Sequence, residues 1–163
     1  MPKGSRRLPE RCAELIGEAD AVIHAGDFFG CSALEELESL CPIVHAVHGS
    51  VDEPKLRRSL PEVLEVELWG EIVGIIHDAG PARGRLSRLR RRFPQAAAVV
   101  FGHSHLPLQE EEDGFQIFNP GSPTERRRAP RPSMGLLTCE KRGLVFEHVW
   151  LGRTSPCLEG EDR

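Results

Sequence analysis

The chain has 163 residues, 39% of them hydrophobic, and a formal net charge of −4 at pH 7, which suits one domain with a buried core and argues against a dedicated nucleic-acid binder. No apolar run approaches the ~20 residues that span a bilayer, and no secretory leader is recognisable ahead of the first helical pattern. The cysteines (Cys12, Cys31, Cys41, Cys139 and Cys157) are odd in number and form no CxxC pair, which speaks against a disulfide framework and a zinc knuckle and fits a reducing, cytoplasmic setting.

Pro9 through Ala19 has helical period, with Pro9 near the first turn and Cys12, Leu15 and Ile16 on one side. Ala21 to Asp27 is a short apolar run with polar residues at its tip. Ser32 with Glu35 has the spacing of a capping box and predicts a second helix, which Pro42 ends after Leu40. Ile43 to Val47 reads as a strand, and Val63 to Leu68 with Glu71 to Ile76 as a hairpin across Trp69-Gly70. Leu86 to Phe93 is a basic helix. Leu86, Leu89 and Phe93 recur at helical spacing, so Arg83, Arg85, Arg88, Arg90, Arg91 and Arg92 are read as its solvated face. Ala96 to Phe101, Phe115 to Phe118, Met134 to Thr138 and Leu144 to Trp150 supply further strands. The expected organisation is one α/β domain over residues 1–151, followed by a polar, flexible tail over residues 152–163.

The chemistry-bearing residues sit at strand ends. Val99-Val100-Phe101-Gly102-His103-Ser104-His105 places two imidazoles just past a buried run. His24-Ala25-Gly26-Asp27, His48-Gly49-Ser50-Val51-Asp52 and His77-Asp78 repeat that arrangement, and in an open α/β sheet such tips converge outside the carboxyl ends of the strands. Arg126, Arg127, Arg128 and Arg131 follow an Asn119-Pro120-Gly121-Ser122 turn, where they would attract an anionic substrate.

In order and spacing, the blocks HAGD (24–27), HGSVD (48–52), IIHDAG (75–80), GHSH (102–105) and NPGSPTERR (119–127) resemble the calcineurin-like metallophosphoesterases, in particular their small YfcE-like phosphodiesterase branch. The resemblance covers about residues 7–150. It implies a four-layer α-β-β-α sandwich with two divalent metals (Mn, Fe, Ni or Zn) at the strand ends, where a metal-bridging hydroxide attacks a small phosphoester substrate. Carried over, Asp27 is the bridging ligand, His105 belongs to the first metal, and His77 and His103 belong to the second. Asp27, Asp52 and His103 are the catalytic candidates, with Asp52 orienting the site. His24, His45 and His48 receive no ligand role, and His148 is structural. No membrane partner is implied, and a homo-oligomer is compatible with the pattern.

Three departures qualify that expectation. Ser50 stands where the family pattern has an Asn ligand to the second metal, and a serine hydroxyl is a poorer donor to a hard cation than an amide carbonyl. Val51 replaces a general-acid His that many relatives carry. The chain opens Met1-Pro2-Lys3-Gly4-Ser5-Arg6-Arg7, where the family has an apolar central strand ending in Asp-x-His. The expectation is that Met1 is an internal codon and that the strand lies just upstream. Without it the alternative is a catalytically impaired metallophosphoesterase-fold protein acting as a binding scaffold, for which the retromer scaffold subunit, which resembles these phosphoesterases, is a precedent in kind.

Overall fold

The computed structural model describes residues 8–28 and 30–152. The expected tail, apart from Gly152, and the opening segment 1–7 lie outside the described residues.

The first helix, α1 (Glu10–Glu18), starts at Pro9, which caps it in an extended conformation (ψ 141°), and it buries Cys12 and Ile16. β1 (Val22–His24) follows, then α2 (Cys31–Leu40). The anticipated capping box is not formed: α2 begins two residues earlier, with Gly30 at its N-cap (φ 128°) and no side-chain cap, so Ser32 lies inside the helix. An L side chain rarely adopts that φ, and a glycine therefore fixes the start of the helix in place of a serine. β2 (Val44–Ala46) and a short helix, α3 (Pro54–Ser59), lead to β3 (Val63–Leu68) and β4 (Glu71–Ile76). These two strands form the predicted hairpin, and both turn residues have positive φ (Trp69 52°, Gly70 83°), the sign pattern of a type I′ turn. Next come α4 (Arg85–Arg92), β5 (Ala98–Phe101), β6 (Leu108–Glu112), β7 (Phe115–Asn119), β8 (Ser133–Glu140) and β9 (Gly143–Trp150).

The strands form one five-stranded sheet, in the order β3-β4-β5-β7-β6, and two separate pairs, β1-β2 and β8-β9. Parallel pairing of β4, β5 and β7, and of β1 with β2, points their carboxyl ends the same way within each sheet. One apolar cluster joins α1, α2 and α3 (Cys12, Ile16, Leu37, Leu56) to Val22 of β1 and Met134 of β8. Another joins Ile23 of β1 and Leu137 of β8 to Val73, Val100 and Phe118 of the five-stranded sheet. A third seats Leu86, Leu89 and Phe93, on or just past α4, against the sheet's far face at Val99, Phe101 and Ile117. The two strand pairs thus share one layer, covered by helices on one side and by the large sheet on the other. The result is a four-layer α-β-β-α sandwich whose second layer is split in two. Among the described residues, no helix is long and apolar enough to cross a membrane.

The arginines of α4 are more than a solvated face. Arg88 donates to the carbonyls of Ala79 and Pro81, each at 2.6 Å, and Arg90 to that of Glu112 at 2.6 Å, while the Arg85 guanidinium lies 5.2 Å from the Phe101 ring centre. They tie the loop after β4 and the β6–β7 turn to the helix.

Candidate metal centre

Three strands from two layers end at one place. β1 leads through Ala25 and Gly26 to Asp27, β4 leads directly to His77, and β5 leads through Gly102 to His103. Asp27, His103 and His105 all have positive φ (62°, 66° and 58°). These are uncommon conformations for residues with a Cβ, and such strain collects at functional sites. Close backbone approach also shapes the rim. A Cβ on Gly26 would lie 2.6 Å from the Gly49 nitrogen, and one on Gly49 would run into the Asp27 carboxylate. The loops after β1 and β2 can meet only because both residues are glycines.

Asp27, His77 and His103 each offer a ligand atom, and these atoms lie within 4.8 Å of one another. His77 is buried, and its Nδ1 donates to the Ala25 carbonyl at 2.7 Å. In the neutral ring this leaves a lone pair on Nε2. That Nε2 faces Asp27 Oδ1 at 3.3 Å and His103 Nδ1 at 3.2 Å. Two lone-pair atoms opposed at such a distance repel, and a cation between them relieves the repulsion. The donor set therefore fits a divalent metal of the borderline type.

The remaining candidates occupy different places. Ser50 is exposed, with Oγ 3.5 Å from Asp27 Oδ1, and the Val51 N–H donates to the same oxygen at 3.1 Å. Asp52 is buried and lies behind the cluster: its Oδ2 accepts from the N–H groups of Gly49 (2.6 Å) and Asp27 (3.1 Å). His105 is outside the three-residue cluster. Its Nδ1 is held by the Glu125 carbonyl at 2.6 Å, and burial lowers its pKa. The residue that sequence reasoning passed over is Asn119. Wholly buried at the end of β7, it donates to the Gly102 carbonyl (2.9 Å) and the Ser104 hydroxyl (3.1 Å), while its Oδ1 accepts from the Gly121 N–H (2.9 Å). It pins the turn that carries His103 and His105. An amide directly after an apolar strand was the available signal. Arg127 sits beside the same turn, donating to the His103 carbonyl at 3.0 Å.

His24 supports the loop without joining the cluster. Its ring stacks on Phe28 (centroids 3.8 Å apart), and its Nδ1 accepts from the Gly26 N–H at 3.2 Å. Burial pushes its pKa down from 6.5 to about 4, reinforced by His77 and opposed by Asp27. Between those values the unfolded chain binds a proton that the native ring refuses. Metal-free protein should therefore lose stability as pH falls through 6.5 towards 4, by on the order of 3 kcal/mol from this group. Urea unfolding at pH 7.5 and 4.5 should show a smaller acid shift for His24→Gln than for the parent chain. Equal shifts would assign the acid sensitivity elsewhere.

A family model for the calcineurin-like phosphoesterase superfamily domain matches residues 4–142. The chain belongs to that superfamily. It is 30% identical over 155 residues to a probable metallophosphoesterase of Methanothermobacter thermautotrophicus, covering 93% of this chain and 88% of the relative. It is also 24% identical over 131 residues to a phosphodiesterase of Methanocaldococcus jannaschii, covering 76% and 78% of the two chains. Among solved structures, the zinc-complexed Vps29 of Entamoeba histolytica superposes with a TM-score of 0.71 at 22% identity, over 92% of this chain and 93% of that one.

Proposed function

We propose that this protein is a metal-dependent phosphoesterase that hydrolyses a small phosphodiester, with Asp27, His77 and His103 as metal ligands. The observation that carries this reading is the convergence of one carboxylate and two imidazoles at the carboxyl ends of β1, β4 and β5. Two divalent ions bound at such a site supply a nucleophile at neutral pH and offset the charge at phosphorus. Each side chain then has a distinct task. The Ala25 carbonyl fixes the His77 tautomer. Asp27, flanked by the β1 and β2 loops, would hold metal together with His77 and His103, and His105, fixed by the Glu125 carbonyl, would add a donor beside them. Asp52 is a positioning residue that holds the backbone of Asp27. The Arg127 guanidinium, fixed beside the His103 turn, attracts the anionic substrate. The mixed nitrogen and oxygen set suits Mn, Fe, Ni or Zn.

The test is cleavage of a generic aryl phosphodiester by the full chain with each of these metals and with chelator. Turnover with metal and none with chelator supports the reading. Metal binding without turnover under every ion would replace it with a binding scaffold.

Ser50 is exposed at the rim, a hydroxyl away from Asp27. Ser50→Asn puts an amide carbonyl there, and metal titration followed by calorimetry should show tighter binding of the weaker ion, by roughly tenfold in affinity. An unchanged isotherm would mean that position 50 does not face the ion.

A further inference from the structure

The loop between β7 and β8 runs beside the metal centre and is strongly basic: among residues 119–131, four are arginine and one is acidic. Its own contacts hold it in shape. The Ser122 hydroxyl accepts from the Glu125 N–H at 3.1 Å, Arg126 donates to the Ala129 carbonyl at 2.9 Å, and the Glu125 carbonyl accepts from His105 Nδ1 at 2.6 Å. The four arginines do different things. Arg126 closes the loop on itself, Arg131 donates to the Gly152 carbonyl at 3.0 Å, and Arg128 is exposed. Of the four, only Arg127 lines the same cleft as Asp27, His103, His105 and Thr124.

Arg127 is set there at a cost. Its φ of 46° lies in the left-handed region, which a residue with a Cβ occupies only when the surrounding structure demands it. Its Nη1 donates to the His103 carbonyl at 3.0 Å, which uses one of the five N–H donors of a guanidinium. Among the described residues the group has no other hydrogen bond and no carboxylate partner. The Nε–Nη2 edge, whose two parallel donors match two oxygens of a phosphate, therefore remains open. The charge is felt at the centre itself: burial lowers the pKa of His105, and Arg127 adds to that lowering.

The charge balance shows what the open edge is for. A divalent ion held by the Asp27 carboxylate and two neutral imidazoles keeps a single positive charge, which the single negative charge of a phosphodiester already offsets. A second ion with its hydroxide only adds to the positive side. A tie to the His103 carbonyl needs one donor and no charge, so the guanidinium is in excess of what either the turn or a simple diester requires. We infer that Arg127 forms a second anion subsite beside the metal centre, and that the substrate is a phosphodiester carrying a further phosphate, which the Nε–Nη2 edge holds while the scissile phosphate lies at Asp27, His77 and His103. The substrate half of this inference rests on the phosphoesterase reading; the anion subsite does not.

The test is calorimetric titration of the full, Mn²⁺-loaded chain with thymidine 3′,5′-bisphosphate and with each of the two thymidine monophosphates. The bisphosphate should bind at least about tenfold more tightly than either monophosphate. Arg127→Gln keeps a donor for the His103 carbonyl and removes the charge, and it should bring the three affinities to within about threefold of one another. Arg127→Lys, a charge without the planar fork, should keep part of the preference. Arg128→Gln should keep nearly all of it. The ratio between ligands is the readout, because a disturbed His103 would weaken all three alike. Equal affinities in the parent chain would overturn the proposal. So would an equal loss of preference in Arg128→Gln, which would show diffuse attraction by the whole loop in place of a subsite. A chain that prefers the bisphosphate and cleaves no diester keeps the subsite and loses the phosphoesterase reading. One that cleaves diesters and binds all three nucleotides equally does the reverse.

Discussion

Asp27→Ala should lower kcat/KM for a phosphodiester by at least about a thousandfold, and His103→Ala should do so by at least a hundredfold. The two losses should differ in their cost to the fold. The Asp27 side chain is only 8% exposed and its Oδ1 accepts the Val51 N–H at 3.1 Å, so its removal also frees the loop after β2. The variant should bind metal weakly and melt earlier. His103 is exposed on its turn and its backbone is held independently by Arg127. Its truncation should leave the urea midpoint almost unchanged while activity and calorimetric metal binding fall. Full activity in both variants would show that hydrolysis takes place at another site. Loss of activity in His103→Ala with an equally large loss of stability would show that the imidazole is a structural element.

Asp52→Ala should destabilise the chain by about 2–4 kcal/mol, although Asp52 belongs to no ligand cluster. The carboxylate is buried and accepts two backbone N–H groups, from Gly49 at 2.6 Å and Asp27 at 3.1 Å. Such charge-assisted bonds contribute about 1.5–3 kcal/mol each. The gain is partly offset because Oδ1 is buried with no hydrogen-bond partner among the described residues. Removing the side chain orphans both N–H groups and unties the two glycine-rich loops from each other. Urea unfolding should register the loss, and hydrolysis should fall with it because the Asp27 backbone is no longer fixed. Asp52→Asn, which keeps one acceptor oxygen, should recover part of both. Parental stability in Asp52→Ala would remove the loop-tying role.

The tips that converge in the structure were legible because each combines an apolar run with a titratable residue within three positions of its end. The proximity of His77 and His103 follows from their strand-end positions, and the structure sets their ring nitrogens 3.2 Å apart. The hairpin at Trp69-Gly70 was equally plain, since two runs of six residues flank one glycine turn. What escaped the sequence had weak local signals. α3 spans six residues, too few to show a period, and only Leu56 is buried. β6 reads Leu-Gln-Glu-Glu-Glu, a composition depleted in strands, and becomes one only by pairing with β7 at the edge of the sheet. The Ser32 capping box failed because Gly30, with its positive φ, had already set the start of α2. The amide of Asn119 at the end of an apolar run is a local signal, but its partners lie 15 and 17 positions away and only the fold brings them to it.

The margins of the large sheet have a further consequence, for how copies of this chain behave at high concentration. Its outer strands are β3 and β6, which present Glu65 and Glu67 on one side and Glu110, Glu111 and Glu112 on the other, all exposed. Negative charge along both rims makes end-to-end fusion of two such sheets electrostatically unfavourable. The guard is conditional. Added salt shortens its range. β1 and β8 carry no comparable row of charges: Val22, Ile23, Met134, Leu136 and Leu137 dominate their borders. Colloidal stability is thus distributed unevenly over the molecule, with one layer protected by ionised rims and the other dependent on being covered.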